Sequence, residues 1–112
     1  MEGDRIGRLA QLLAFHKEDP DDSFVRFALA AEYAKLGREE DARRAFEALR
    51  EHDPDYVGTY YHLGKLYERT GMEVRAIETY RAGIDAAMRM SDFHARAELQ
   101  SALMEAEGMG FE

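Results

Sequence analysis

The fold is decided by residues 53–88, which read DPDYVGTYYHLGKLYERTGMEVRAIETYRAGIDAAM. Residues 19–54 read DPDDSFVRFALAAEYAKLGREEDARRAFEALREHDP and repeat that stretch at a spacing of 34 positions. Identical residues recur in nine pairs, namely Asp19/Asp53, Pro20/Pro54, Asp21/Asp55, Leu29/Leu63, Tyr33/Tyr67, Gly37/Gly71, Glu39/Glu73, Ala42/Ala76 and Ala48/Ala82. A fixed period of this length indicates one supersecondary unit stacked on its copy, since neither copy can bury its own apolar face.

The composition describes a folded, acidic chain of 112 residues, for which we expect one domain. Apolar residues make up 46% and charged residues 34%, with a net charge of −8. A nucleic-acid partner is not expected, because phosphate binding needs a clustered basic face. The absence of cysteine excludes a disulfide framework and suits a reducing compartment, so we expect a cytoplasmic location. We expect neither a signal peptide nor a membrane span, since no apolar run approaches about 20 residues.

Apolar residues recur with the helical period throughout the chain, so we predict six helices and no strands. The predicted helices cover residues 4–17, 23–36, 39–52, 56–70, 72–90 and 93–107. Proline ends the first and third helices at Pro20 and Pro54, whereas Met88 stands where a third proline is expected. The fifth helix is therefore predicted to continue to about Met90, and Asp92 is predicted to cap the sixth.

Small and large residues alternate at matching positions of the two copies. Ala30 and Gly64 let a partner helix approach closely, and the nearby Tyr33 and Tyr67 are predicted to fill the space between helices. The second helix of each copy pairs a small with an aromatic residue, namely Ala42 with Phe46 and Ala76 with Tyr80. Such alternation lets helices interdigitate at high packing density.

These residues resemble the tetratricopeptide repeat family, whose pattern is Trp-x2-Leu-Gly-x2-Tyr, then Ala-x3-Phe, then Pro. The second copy reads Tyr60-x2-Leu63-Gly64-x2-Tyr67 and then Ala76-x3-Tyr80. The first copy places Arg26 where the family has its leading aromatic residue, and it ends in Pro54. The resemblance covers about residues 19–88.

The resemblance implies an all-α fold, a right-handed superhelix of six antiparallel helices. Its expected parts are a leading helix (4–18), repeat 1 (21–54), repeat 2 (55–88), a capping helix (91–108) and a short tail (109–112). The two flanking helices are expected to cover the ends of the stack, as terminal repeats do.

The resemblance also implies a concave groove lined by the first helix of each pair. The residues carried over to this peptide-binding groove are Phe27, Ala31, Lys35, Tyr61, His62, Lys65, Arg69 and Arg96. The groove is therefore expected to be apolar and locally basic, which suits an acidic or carboxylate-bearing apolar peptide. In family members that grip heat-shock chaperone tails, Lys, Asn and Arg form a clamp, and here only Arg96 matches it.

We therefore predict a non-catalytic scaffold or adaptor that binds a peptide or helix of another protein, without cofactor or metal. The four histidines are scattered, and no nucleophile or phosphate-binding motif occurs. The alternative is a structural module that self-associates weakly through its ends. In that case the apolar and acidic tail, residues 107–112, is a candidate ligand for a neighbour's groove.

Overall fold

A computed structural model describes residues 2–108 of the chain, and the side chains of residues 7–108. The six helices are α1 (Glu2–Glu18), α2 (Ser23–Lys35), α3 (Glu39–His52), α4 (Gly58–Arg69), α5 (Glu73–Arg89) and α6 (Phe93–Ala106). The described residues contain no strand, so the predicted all-α class is confirmed. Within residues 2–108, no helix has the length and apolar character needed to cross a membrane. The predicted tail, residues 109–112, lies outside the described residues.

The predicted helix ends agree with the structure to within about two residues, and α3 agrees at both ends. Helix α4 begins at Gly58, two residues later than predicted. The equivalent helix α2 is capped by the Asp22 carboxylate, which accepts a hydrogen bond from the Val25 amide at 3.2 Å. Val57 at the N-cap of α4 makes no side-chain capping bond, so Tyr56 and Val57 form turns instead of the first helical residues.

Four helices end in the same left-handed turn, which satisfies carbonyl groups of the last helical turn. Gly37, Gly71 and Gly108 supply positive φ angles of 76°, 80° and 77° after α2, α4 and α6. Helix α5 reaches Arg89 because no proline stops it, as predicted. Its turn is made by Ser91 at φ 54°, where the other three helices use glycine.

The chain divides between Asp53 and Pro54 into two compact units. In the first unit, α2 packs on both α1 and α3. Its buried apolar residues are Leu9, Leu12, Leu29, Ala30, Ala42, Phe46 and Leu49. Glu32, 2% exposed, is buried with them. Its carboxylate lies 3.3 Å from Nε of Arg8, so this ion pair ties α1 to α2.

In the second unit, α5 packs against both α4 and α6, and α4 also contacts α6. Its buried apolar residues are Tyr60, Leu63, Leu66, Tyr67, Ala76, Tyr80, Ala86, Ala87, Leu99 and Ala102. Asp92 caps α6 as predicted, accepting from the Ala95 amide at 3.0 Å. Three-residue connections join α4 to α5 and α5 to α6, so successive helices run antiparallel.

The predicted pairing of small and large residues is found inside the hairpins. Ala42 and Ala76 are both fully buried, and a Cβ atom added to Gly64 would lie 2.7 Å from Cδ1 and Cζ of Tyr80. Tyr67 is 5% exposed, as a core residue should be. Tyr33 is only half-buried, and the Arg38 guanidinium lies 5.0 Å from the centre of its ring. The two tyrosines therefore have different surroundings.

Candidate functional site

The outward face of α4 in the second unit carries four of the predicted groove residues. Leu63, Gly64 and Tyr67 point into the core, so the side chains of the opposite face remain accessible. Tyr61 and Lys65 are half-buried one turn apart, and His62 and Arg69 are exposed. This set, Tyr61, His62, Lys65 and Arg69, is called the α4 face below.

Tyr61 is the centre of the α4 face. Its ring meets the His62 ring edge-on, with centroids 5.8 Å apart and planes at 84°. The Lys65 ammonium lies 5.5 Å from the centre of the Tyr61 ring, within the range of a cation–π interaction. An accessible aromatic ring is thus held in place by a second ring and a cation, and it loses little freedom when something packs on it.

Glu68 links the α4 face to the core. Its carboxylate accepts a short hydrogen bond from the Tyr80 hydroxyl and lies 3.8 Å from the Lys65 ammonium. Burial raises the pKa of Tyr80, and the Glu68 carboxylate raises it further. The Tyr80 hydroxyl therefore stays protonated. The Glu68 carboxylate is fixed by its hydrogen bond from the buried Tyr80, and it in turn positions the Lys65 ammonium.

His62 of α4 lies in the field of the Glu98 carboxylate of α6. Desolvation by neighbouring groups lowers the pKa of His62, although part of the ring is exposed, and the Glu98 carboxylate partly opposes this effect. His62 is therefore mostly neutral at pH 7. With Glu68 beside Lys65 and the Glu98 carboxylate acting on His62, the α4 face has mixed charge, whereas the sequence predicted a locally basic surface.

Arg96 does not take the repeat position of His62, which lies 34 residues earlier in the sequence. On α6 the buried or half-buried residues are Ala95, Arg96, Leu99, Ala102, Leu103 and Ala106. The first five match Thr59, Tyr60, Leu63, Leu66 and Tyr67 of α4 at a spacing of 36. Arg96 thus corresponds to the buried Tyr60, and Glu98 corresponds to His62. The extension of α5 past Met88 accounts for this two-residue shift.

The environment of Arg96 agrees with this register. The residue is half-buried, and its buried Nε atom has no hydrogen-bond partner within the part of the chain that the structure describes. Sequence reasoning missed Glu98 as the neighbour of His62. The missing proline at Met88 was the available signal, since a longer α5 must displace every residue of α6 along the repeat register.

The first unit holds the remaining predicted groove residues on α2. Phe27 is half-buried, and its ring packs edge-on against Phe46 with centroids 5.9 Å apart and planes at 66°. Part of its surface therefore belongs to the α2–α3 core. Ala31 is half-buried one turn further along the helix, and Lys35 is exposed in the last turn.

Among residues 2–108, no group of three or more His, Asp or Glu side chains is placed to hold a metal ion. The α4 face offers an aromatic surface, an ammonium and a guanidinium. It can therefore bind by packing, cation–π contact and charge-assisted hydrogen bonds.

Comparison with solved structures finds strong similarity to helical repeat domains. A tetratricopeptide repeat domain protein from Salinibacter ruber is 50% identical in both its solution and its crystal structure. The solution structure has a TM-score of 0.77, with 81% of this chain and 92% of that one covered. The crystal structure has a TM-score of 0.76, with 79% and 99% covered.

More distant structures share the fold. The TPR2B domain of yeast Sti1 is 20% identical with a TM-score of 0.85, covering 96% of this chain and 86% of that one. PcrH is 16% identical with a TM-score of 0.85, covering 96% and 81%. No protein-family model matches the chain, and neither does any curated protein.

Proposed function

The chain belongs to the tetratricopeptide repeat family, and on that premise we propose that it is a non-catalytic adaptor which binds a peptide or helix of another protein. The repeats are taken as residues 21–54 and 55–88, with α1 leading and α6 closing. A cytoplasmic location is part of the same proposal, because a chain without cysteine suits a reducing compartment.

Two similar structures contain a bound partner. The Sti1 domain was solved as a complex with pHsp70, and PcrH with the chaperone-binding region of PopD. Both share the fold at low identity, so they support the class of function and leave the partner of this chain open.

The observation that carries the proposal is the Tyr61 ring, accessible on α4 and held between His62 and Lys65. Aromatic and cationic side chains of this kind dominate binding energy at protein interfaces. An apolar peptide side chain would pack on Tyr61 while a carboxylate pairs with Lys65 or Arg69. Phe27, Ala31 and Lys35 on α2 remain proposed binding residues of the first unit. Arg96 is proposed to contribute least, because it takes the repeat position of the buried Tyr60.

The test is capture of binding proteins from the native lysate by the immobilised chain, compared with the double variant Lys65→Glu with Arg69→Glu. A matched control is Arg75→Glu with Arg89→Glu, which changes the charge equally on exposed residues of α5. We expect the captured proteins to be lost with the first variant and retained with the control. Equal capture by both variants, with both still folded, would remove the α4 face from the proposal.

A second candidate function is self-association through the end of the stack. Helix α6 carries Phe93 and Met104 on the side opposite its buried residues, with 73% and 49% of their surface exposed. The uncharged Ala97, Gln100 and Ser101 lie between them on the same side. A helix from a second copy could cover this stripe. Of the proposed tail, residues 109–112 lie outside the described residues.

Sedimentation over a range of concentrations decides this alternative. If the α6 stripe mediates association, the mean mass rises with concentration and Phe93→Glu abolishes the rise. A mass that stays at one chain up to millimolar concentration rejects the alternative.

A further inference from the structure

The first unit contains a cavity that is separate from the α4 face. Its volume is about 130 Å³, and it is lined by His16 of α1, Arg26 and Leu29 of α2, and Ala45 and Ala48 of α3. Three helices therefore enclose it, and it is open to solvent on one side.

The cavity lies at a position where the two copies of the repeat differ in side-chain shape. Arg26 stands at the position of Tyr60 in the second copy, where the tyrosine ring is buried with 2% of its surface exposed. A narrow, half-buried guanidinium cannot fill the volume that an aromatic ring would occupy. Ala45 and Ala48 form the opposite wall with single methyl groups, so the space between them remains empty.

The polar groups of the cavity wall are only partly paired. Nε of Arg26 donates to the Pro20 carbonyl at 2.8 Å, and its two Nη groups have no hydrogen bond to any described residue. Nδ1 of His16 is buried and has no hydrogen-bond partner among the described residues, whereas buried polar atoms normally have one. The described residues that line the cavity include no carboxylate. The Arg26 guanidinium therefore keeps donors for a ligand beside an apolar pocket.

We propose that this cavity binds a small carboxylate with a compact apolar body. The Arg26 guanidinium pairs with the carboxylate, since charge-assisted hydrogen bonds are stronger than those between neutral groups. The His16 ring forms part of the same wall and contacts the ligand. Leu29, Ala45 and Ala48 contact the apolar body. The volume is close to that of a cavity of about 150 Å³ known to hold benzene.

The probe is benzoate, followed through amide and methyl resonances of the whole chain, with neutral benzamide as the isosteric comparison. We expect saturable shifts centred on Leu29, Ala45 and Ala48 in the millimolar range. Benzamide should bind at least tenfold more weakly, because it cannot form the ion pair. Absence of saturable shifts from benzoate would overturn the proposal, and equal binding of benzamide would overturn the carboxylate assignment.

Two variants keep the test independent of folding effects. Arg26→Met removes the guanidinium and should weaken benzoate binding at least tenfold. The control Arg44→Met removes an exposed arginine elsewhere on α3 and should leave binding unchanged. Ala48→Leu fills the cavity from its exposed rim and should also abolish binding. Unchanged binding in both Arg26→Met and Ala48→Leu would place benzoate outside the cavity and reject the proposal.

The carboxylate could belong to a free acid or to the end of a peptide chain. Acetyl-Gly-Phe in parallel with benzoate separates these sources. Tighter binding of the peptide indicates a chain terminus, whereas binding of benzoate alone indicates a free acid. Shifts from either ligand that remain in Ala48→Leu would count against the cavity.

Discussion

Arg26 and Tyr60 lie 34 residues apart, and each donates a hydrogen bond to the carbonyl of the proline six residues earlier. Nε of Arg26 lies 2.8 Å from the Pro20 oxygen, and the Tyr60 hydroxyl lies 2.5 Å from the Pro54 oxygen. Both side chains at this repeat position therefore donate to the proline carbonyl, although one is a guanidinium and the other a phenol. The equivalent positions of the next helices, Leu49 of α3 and Gly83 of α5, change in the opposite sense, since the second copy has the smaller residue. A Cβ atom on Gly83 would lie 2.5 Å from Cβ of Tyr60, so the larger ring requires the smaller partner.

We expect Tyr60→Phe to lower the free energy of unfolding by about 0.5–1.5 kcal/mol, the usual net contribution of one hydrogen bond. The ring still fills its site, whereas the hydrogen bond to the Pro54 carbonyl is lost. Tyr33→Phe is the control, since Tyr33 is half-buried beside Arg38. Urea titration of both variants measures the difference, and equal midpoints would show that the bond contributes nothing.

Adding a methyl group should have opposite effects at two helical glycines. Gly64→Ala places its Cβ against the Tyr80 ring and should cost about 1–3 kcal/mol by overpacking, with Gly64→Leu at least as harmful. Gly7→Ala lies in α1 with nothing within 4 Å and should stabilise the chain by up to about 1 kcal/mol. Thermal unfolding of the pair is the measurement. A Gly64→Ala variant as stable as the parent chain contradicts the α4–α5 packing.

Replacing Ser91 by glycine should stabilise the chain. Ser91 has a φ of 54°, a conformation that costs L-residues about 1–2 kcal/mol and glycine almost nothing. The gain should be about 1 kcal/mol in urea unfolding. Ser101→Gly, at an exposed position inside α6, should instead lose up to about 1 kcal/mol. A loss of stability in Ser91→Gly would mean that the turn after α5 does not need the left-handed conformation.

Alkaline pH should destabilise the chain through Tyr80. Burial and the Glu68 carboxylate raise the pKa of Tyr80 in the folded state. The unfolded phenol ionises near pH 10, so above that pH the folded state holds one more proton. The contribution of the Tyr80 hydroxyl to the free energy of unfolding is complete below the pKa of the unfolded phenol. It is lost as the pH rises toward the pKa of Tyr80 in the folded state. The slope for one proton is about 1.4 kcal/mol per pH unit.

Comparison of the parent chain with Tyr80→Phe isolates this effect. We expect the free energy of unfolding of the parent chain to fall more steeply than that of the variant between pH 10 and pH 11. The difference in slope should approach the value for one proton, about 1.4 kcal/mol per pH unit. Parallel pH profiles would show that the Tyr80 hydroxyl titrates in the same way in both states.

The sequence alone determined the helices, the cap of α6 at Asp92 and the small residue at Gly64, because each position of the repeat occurs twice and short loops leave few alternatives. It also predicted the longer α5 from the missing proline at Met88. It could not determine how far that extension would move α6, so it predicted Arg96 as a groove residue and did not identify Glu98 as the neighbour of His62.

The Lys65–Glu68 pair on the α4 face is local, since the two residues lie three positions apart on one helix. Only the tertiary structure decided that the Glu98 carboxylate of α6 acts on His62 of α4, because no local pattern encodes the packing of these two helices. The structure alone also decided that a cavity remains where Arg26 stands in place of an aromatic residue. The physical reason is the same in both cases: helix formation depends on residues a few positions apart, whereas desolvation, pairing and empty volume depend on which helices meet.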